Sequence, residues 1–180
     1  LWHSPIIGPS DSYSKVKFSP DNKWWIKSKK IVEDLVKFAE GNFFVSIPDI
    51  SSPLDTLEML RGAEGLSLDM YDRPEEVKSA QKHIRECWRV QYDALYEIVH
   101  NRFDGSTAGC LPAWSPKRSY TAQCDFSGIL SAEMFEDFVV PDVEFQCACV
   151  DHSLYHLDGP NAARHADRLL KIPRLNGIQW

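Results

Sequence analysis

The stretch "SLYHLDGP" at residues 153–160 ends a short apolar run in a histidine and follows it at once with an aspartate and Gly-Pro. If the run is a strand, His156 and Asp158 are two apart and share a face. An imidazole there can ligate a metal or carry a proton, with Asp158 as second ligand or as the group that orients the ring. A metal site usually needs at least three protein ligands, so a third would come from Asp125, Cys124 or sequence elsewhere. The plain alternative is a strand histidine bonded to a backbone carbonyl, with Asp158 capping a helix that begins near Asn161.

Asp49 and Asp125 stand in the same relation to two earlier apolar runs. Both are candidates for acid–base work, and both are equally readable as turn residues or helix caps. Trp114, Lys117 and Arg118 lie in the long segment 104–118, where they could meet an anionic or aromatic ligand or simply be solvated. Gly159 precedes Pro160 at a helix start and could leave backbone amides open to an anion. Cys147 and Cys149, two apart on a helix, face different ways and do not chelate together. His152 and His165 stand among polar residues and read as surface groups.

Those residues need elements to position them. Residues 1–23, rich in Pro, Ser, Gly and Asp, read as an irregular segment, and 24–180 as one α/β unit. A helix starts at Trp24, with Ile31, Leu35 and Phe38 as its apolar stripe and Gly41 as its stop. "FFVSI" at 43–47 reads as a strand buried on both faces, ended by Pro48-Asp49. Ser52 caps the next helix, with Pro53 at its first position and Gly62 at its end. A long helix opens at "DRPEEV" and carries Val77, Ile84, Trp88, Leu95 and Ile98 on one side. "SYTAQC" at 119–124 is a second strand, and "DFSGIL" the turn after it. Ser131 caps a helix through Phe135 and Phe138 that Pro141 interrupts. "SLYHL" is a third strand, "GPNAARHADRLLKI" a helix with Leu169 and Leu170 toward the core, and "NGIQW" the start of a fourth strand. Alternation of this kind predicts a parallel sheet, in which functional groups gather at the carboxyl ends of strands. Four strands are about half of an eight-stranded (β/α) barrel of roughly 250 residues. The sequence therefore reads as part of such a barrel, cut at both ends.

Composition limits the partners. With 180 residues, 43% of them hydrophobic, the chain can bury one proper core. A net charge of −6 argues against a dedicated nucleic-acid binder. Five cysteines without a CxxC pair suit reduced thiols in the cytoplasm rather than a disulfide framework. No apolar run approaches about 20 residues, so no membrane span is expected.

Three stretches, in this order, resemble the uroporphyrinogen decarboxylase superfamily, which includes cobalamin-linked methyltransferases. "SSPLDTLEMLRG" is similar to that family's Pro-containing strand-to-helix segment ending in glycine. "AQCDFSGILSAEMFEDFVVP" is similar to its strand end, small loop and Ser-Pro-x-x-Phe helix; Ser131, Phe135, Phe138 and Pro141 match, and Ala132 stands where proline is usual. "SLYHLDG" is similar to the strand that reads His-x-Cys-Gly in the methyltransferases. Together they span about residues 43–180.

The resemblance implies the middle of a (β/α)8 TIM barrel, with the substrate-gripping basic residues of the family's amino terminus and its later strands outside this chain. It implies one of two chemistries, of which the first is the reading adopted and the second its alternative. The first is corrinoid-linked methyl transfer from a methylated small molecule, with methylcobalamin as co-substrate, a corrinoid protein as partner and zinc or another divalent metal at His156 and Asp158. The second is cofactor-free decarboxylation of an anionic, tetrapyrrole-like substrate, with Asp49 or Asp125 orienting a pyrrole N–H or stabilising a developing cation. Asp158 replaces the methyltransferase cysteine, which favours oxygen-rich coordination or no metal. A half barrel also exposes two sheet edges, so a homo-oligomer or a complementing chain is expected to cover them, and a non-catalytic fragment is the third reading.

Overall fold

A computed structural model describes residues 4–100, 104–111 and 113–180. Residues 1–3 of the irregular amino-terminal segment and Pro112 of the long loop lie outside it. The described residues form an α/β fold built on a small parallel sheet in the order β1-β2-β3, comprising β1 (Ser119–Gln123), β2 (His152–His156) and β3 (Gly177–Gln179). Registers pair Gln123 with His156 and His156 with Gln179. Because side chains alternate across a strand, these three residues form a polar row on one face, at the carboxyl edge of the sheet. The opposite face carries Tyr120, whose ring meets the buried Trp88 edge-on with centroids 4.8 Å apart.

Four helices precede the sheet: α1 (Lys23–Ala39), α2 (Pro53–Arg61), α3 (Ala63–Asp72) and α4 (Pro74–His100). Asn22 caps α1 by accepting the amides of Trp24 and Trp25, and Ser52 caps α2 by accepting that of Asp55. α3 escapes the sequence reading because Gly62, taken as a stop, adopts φ of 82° and serves both as the end of α2 and the start of α3. The long α4 buries Val77, Ile84, Trp88 and Leu95 as its pattern predicts, with Ile98 only partly covered.

The apolar stripe of α1 is a correction. Ile31, Leu35 and Phe38 are exposed, at 50%, 44% and 75%, and the helix buries Val32, Val36 and Ala39 instead. The two stripes lie one residue, about 100°, apart. The strand expected at 43–47 is also reduced. Phe43 and Phe44 are exposed, and among the described residues the run makes a single parallel bridge, Ile47 to Ala108. Pro48, which has no amide hydrogen, ends the pairing there.

Between β1 and β2 the chain forms a 3₁₀ turn (Asp125–Ile129), then α5 (Ala132–Met134), a π-helical turn (Phe135–Val139) and α6 (Val140–Ala148), with Pro141 in the first turn of α6. The widened turn lets Pro141 sit where no helical amide is needed. Between β2 and β3 the expected helix is only a 3₁₀ turn (Ala162–His165) and α7 (Ala166–Leu169); Leu169 is buried, whereas Leu170 is 72% exposed. His165, expected at the surface, is buried. It stacks on Phe135 at 4.1 Å and its Nε2–H donates to the carbonyl of Ser127. Burial lowers its pKa. All five cysteines are free thiols, and among the described residues no helix is long and apolar enough to cross a membrane.

Candidate active site

The carboxyl edge of the sheet is where the chemistry-bearing residues meet. A cleft of about 550 Å³ opens there, with Asp49, Asp55, Glu58, Gln123 and Asp125 in its wall and no lysine or arginine among its lining residues. Asp49 follows the Ile47 bridge. Its Oδ2 accepts the Gln123 side-chain N–H at 3.0 Å, and its Oδ1 lies 3.0 Å from the Tyr120 hydroxyl. That hydroxyl also lies 2.6 Å from the Ile50 carbonyl and accepts the Ile50 amide. It has one hydrogen for two acceptors. When the hydrogen goes to Ile50, a protonated Asp49 can supply its own to the Tyr120 oxygen.

The electrostatics agree with this. Loss of solvation against the cleft wall raises the Asp49 pKa, the Tyr120 bond opposes the rise, the charge of Asp125 adds to it, and His156 pulls down. Tyr120 is itself pushed well up by burial and then by the Asp49 charge, so it stays a phenol. The thiol of Cys110 feels the same field: burial raises its pKa first, and Asp49 adds to the rise. His156 Nδ1 meets Gln179 Oε1, an acceptor, so Nδ1 is the donor of this pair and Nε2 is the ring nitrogen outside it.

The sequence reading missed Asp55, Tyr120 and Gln123. Asp55, three residues after Ser52, looks like part of an ordinary helix cap, and it does accept the Ser52 hydroxyl at 2.8 Å. It also accepts the amides of Asp125 at 3.2 Å and Phe126 at 2.9 Å, with the Cys124 thiol at 3.5 Å. Burial raises its pKa and these donors hold it down. For Gln123, strand register with His156 was the available signal.

Not every candidate belongs to this cleft. Arg118 stands at the amino end of β1, stacked over Tyr92 and Tyr96 at 5.0 and 4.5 Å and paired with Asp93. Trp114 is exposed and donates to the carbonyl of Asp104. Asp158 is exposed on the loop after β2, and Gly159, with φ of 77°, makes the turn there.

Among the described residues no group of three His, Cys, Asp or Glu is placed to hold an ion. Cys124, the sulfur candidate, is buried and directed at Asp55, and His156 has one ring nitrogen committed to Gln179. These residues by themselves do not fit a zinc site. Comparison of the chain with protein-family models, with curated proteins and with solved structures finds no match.

Proposed function

We propose that this chain is part of a uroporphyrinogen-decarboxylase-like (β/α)8 barrel, and that its strand-end cleft serves metal-independent decarboxylation of a pyrrole-like substrate. The observation that carries this reading is Asp49, an aspartate with a raised pKa held by two neutral partners in a wall that has carboxylates and no cation. Such a wall repels substrate carboxylates and attracts N–H groups and positive charge. Protonating an electron-rich ring carbon creates a cation; CO₂ then leaves with its bonding electrons returned to the ring system, a second proton adds at the carbon that lost CO₂, and the first proton is released from the ring carbon. The net change is R–CO₂⁻ + H⁺ → R–H + CO₂. Asp49 lies beside the developing cation and offsets it, an interaction stronger in the transition state than in the ground state. The Nε2 atom of His156 is the group suited to move the proton.

The corrinoid-linked methyl transfer implied by the same resemblance would draw on His156 and Asp158 with a third ligand from elsewhere. The deciding experiment is CO₂ release from uroporphyrinogen, kept anaerobic and in excess chelator. Turnover that persists with chelator and falls about 100-fold or more in Asp49→Asn is expected. No release, or turnover of a methyl donor only after zinc and methylcobalamin are added, would count against it.

A further inference from the structure

We infer that Asp55 is the positioning residue of the cleft: it fixes the loop after β1 so that Asp125 faces Asp49. The inference rests on reading this cleft as the functional site. Asp125–Ile129 is a 3₁₀ turn whose leading residue, Cys124, provides no side-chain cap. The first amides of such a turn have no partner within it. Asp55, which reaches across from the first turn of α2, supplies the missing acceptor. One oxygen takes the Phe126 amide and the Cys124 thiol, and the other takes the Asp125 amide and the Ser52 hydroxyl. Three of these four donors, from Cys124, Asp125 and Phe126, join α2 to the strand-end loop at Asp125 and the residues on either side of it.

This arrangement does more than fasten a loop. The side chain of Asp125 is exposed, so the backbone decides where its charge stands. That charge acts on Asp49 together with the hydrogen bond from Tyr120 and the pull of His156, and Cys110 lies in the same field. Freeing the Asp125 and Phe126 amides lets the turn move and carries the Asp125 charge away from Asp49, without touching either carboxylate.

The test is a pH titration of the aspartate side chains by ¹³C NMR in the wild type, Asp55→Asn, Asp125→Asn and the double variant. Asp125→Asn should lower the Asp49 midpoint by removing a like charge. Asp55→Asn should lower it as well, and the double variant should go no further than Asp125→Asn alone. The Phe126 amide should exchange faster in Asp55→Asn. Ser52→Ala, which removes the cap of α2 and leaves the loop bonds, should lower the melting temperature with the Asp49 midpoint unmoved. If Asp55→Asn does not fold, Asp55→Glu, which keeps the charge and displaces the acceptor, is read the same way. The inference is overturned if the Asp55 variant leaves Asp49 at its wild-type midpoint, or if Asp125→Asn fails to move it. None of these readouts needs turnover, so a failed CO₂ assay would count against the proposed reaction and not against this role of Asp55.

Discussion

Asp69 and Asp49 are the same side chain placed in opposite circumstances. Asp69, on α3, is buried and accepts from two guanidiniums and a phenol: Arg61 at 2.7 Å, Arg73 at 2.9 Å and Tyr13 at 2.7 Å. Burial pushes its pKa up, but the three donors together outweigh it and hold the carboxyl down at about 2. Asp49 has no cation of that kind beside it, and its pKa rises. The first is a clamp that ties the amino-terminal segment to α2 and α3, fully ionised near neutrality. The second retains the freedom to take a proton or to face a new positive charge. What separates structure from chemistry here is the partner set, not the residue type.

Asp142 sharpens the point. It too is raised, to about 6, because its burial outweighs Arg85 and Gln81. Yet it is sealed in the core between α4 and α6, only 2% exposed, and no ligand reaches it. A raised carboxyl marks a site only when a cleft opens onto it.

The comparison can be broken by mutation. Asp69→Ala strands two guanidiniums and should cost about 3–5 kcal/mol in urea unfolding at pH 7, the largest effect expected. Acid should show the same clamp in the wild type. The folded-state pKa of Asp69 is depressed, so the unfolded chain binds more protons as pH falls from about 3.8 to about 2, and stability drops through that window. The loss is roughly 2 kcal/mol, and it should be absent in Asp69→Asn. Asp142 should act in the opposite sense, with stability falling as pH rises from about 3.8 to about 6. Arg118→Ala, which removes a stacked cation at the amino end of β1, should cost about 1 kcal/mol and leave the cleft aspartates titrating as before. Asp49→Asn should move stability least, by under about 0.5 kcal/mol, while removing the proposed activity.

Much of the framework was legible in the sequence because it rests on local chemistry. Ser52-Pro53, the stripe of α4 and the apolar runs of β1 and β2 each carry their own signal. α1 was misread because it has two apolar stripes, and only its packing partner chooses between them. α3 was missed because one glycine serves two helices. The site was half legible. Asp49, Asp125 and His156 are found by reading strand ends, but Asp55 bonds to residues 69 to 71 positions away in sequence, and no local pattern announces that. His165 shows the converse: polar neighbours in sequence gave no hint that a short 3₁₀ turn would press it against Phe135.

The most direct test of the central contrast is one ¹³C titration of the native chain that follows Asp49 and Asp69 together. The account predicts that Asp49 titrates above the ordinary aspartate value of 3.8 and Asp69 near 2. Asp49 titrating at or below the ordinary value would contradict it, because the cleft would then hold an ordinary solvated carboxylate.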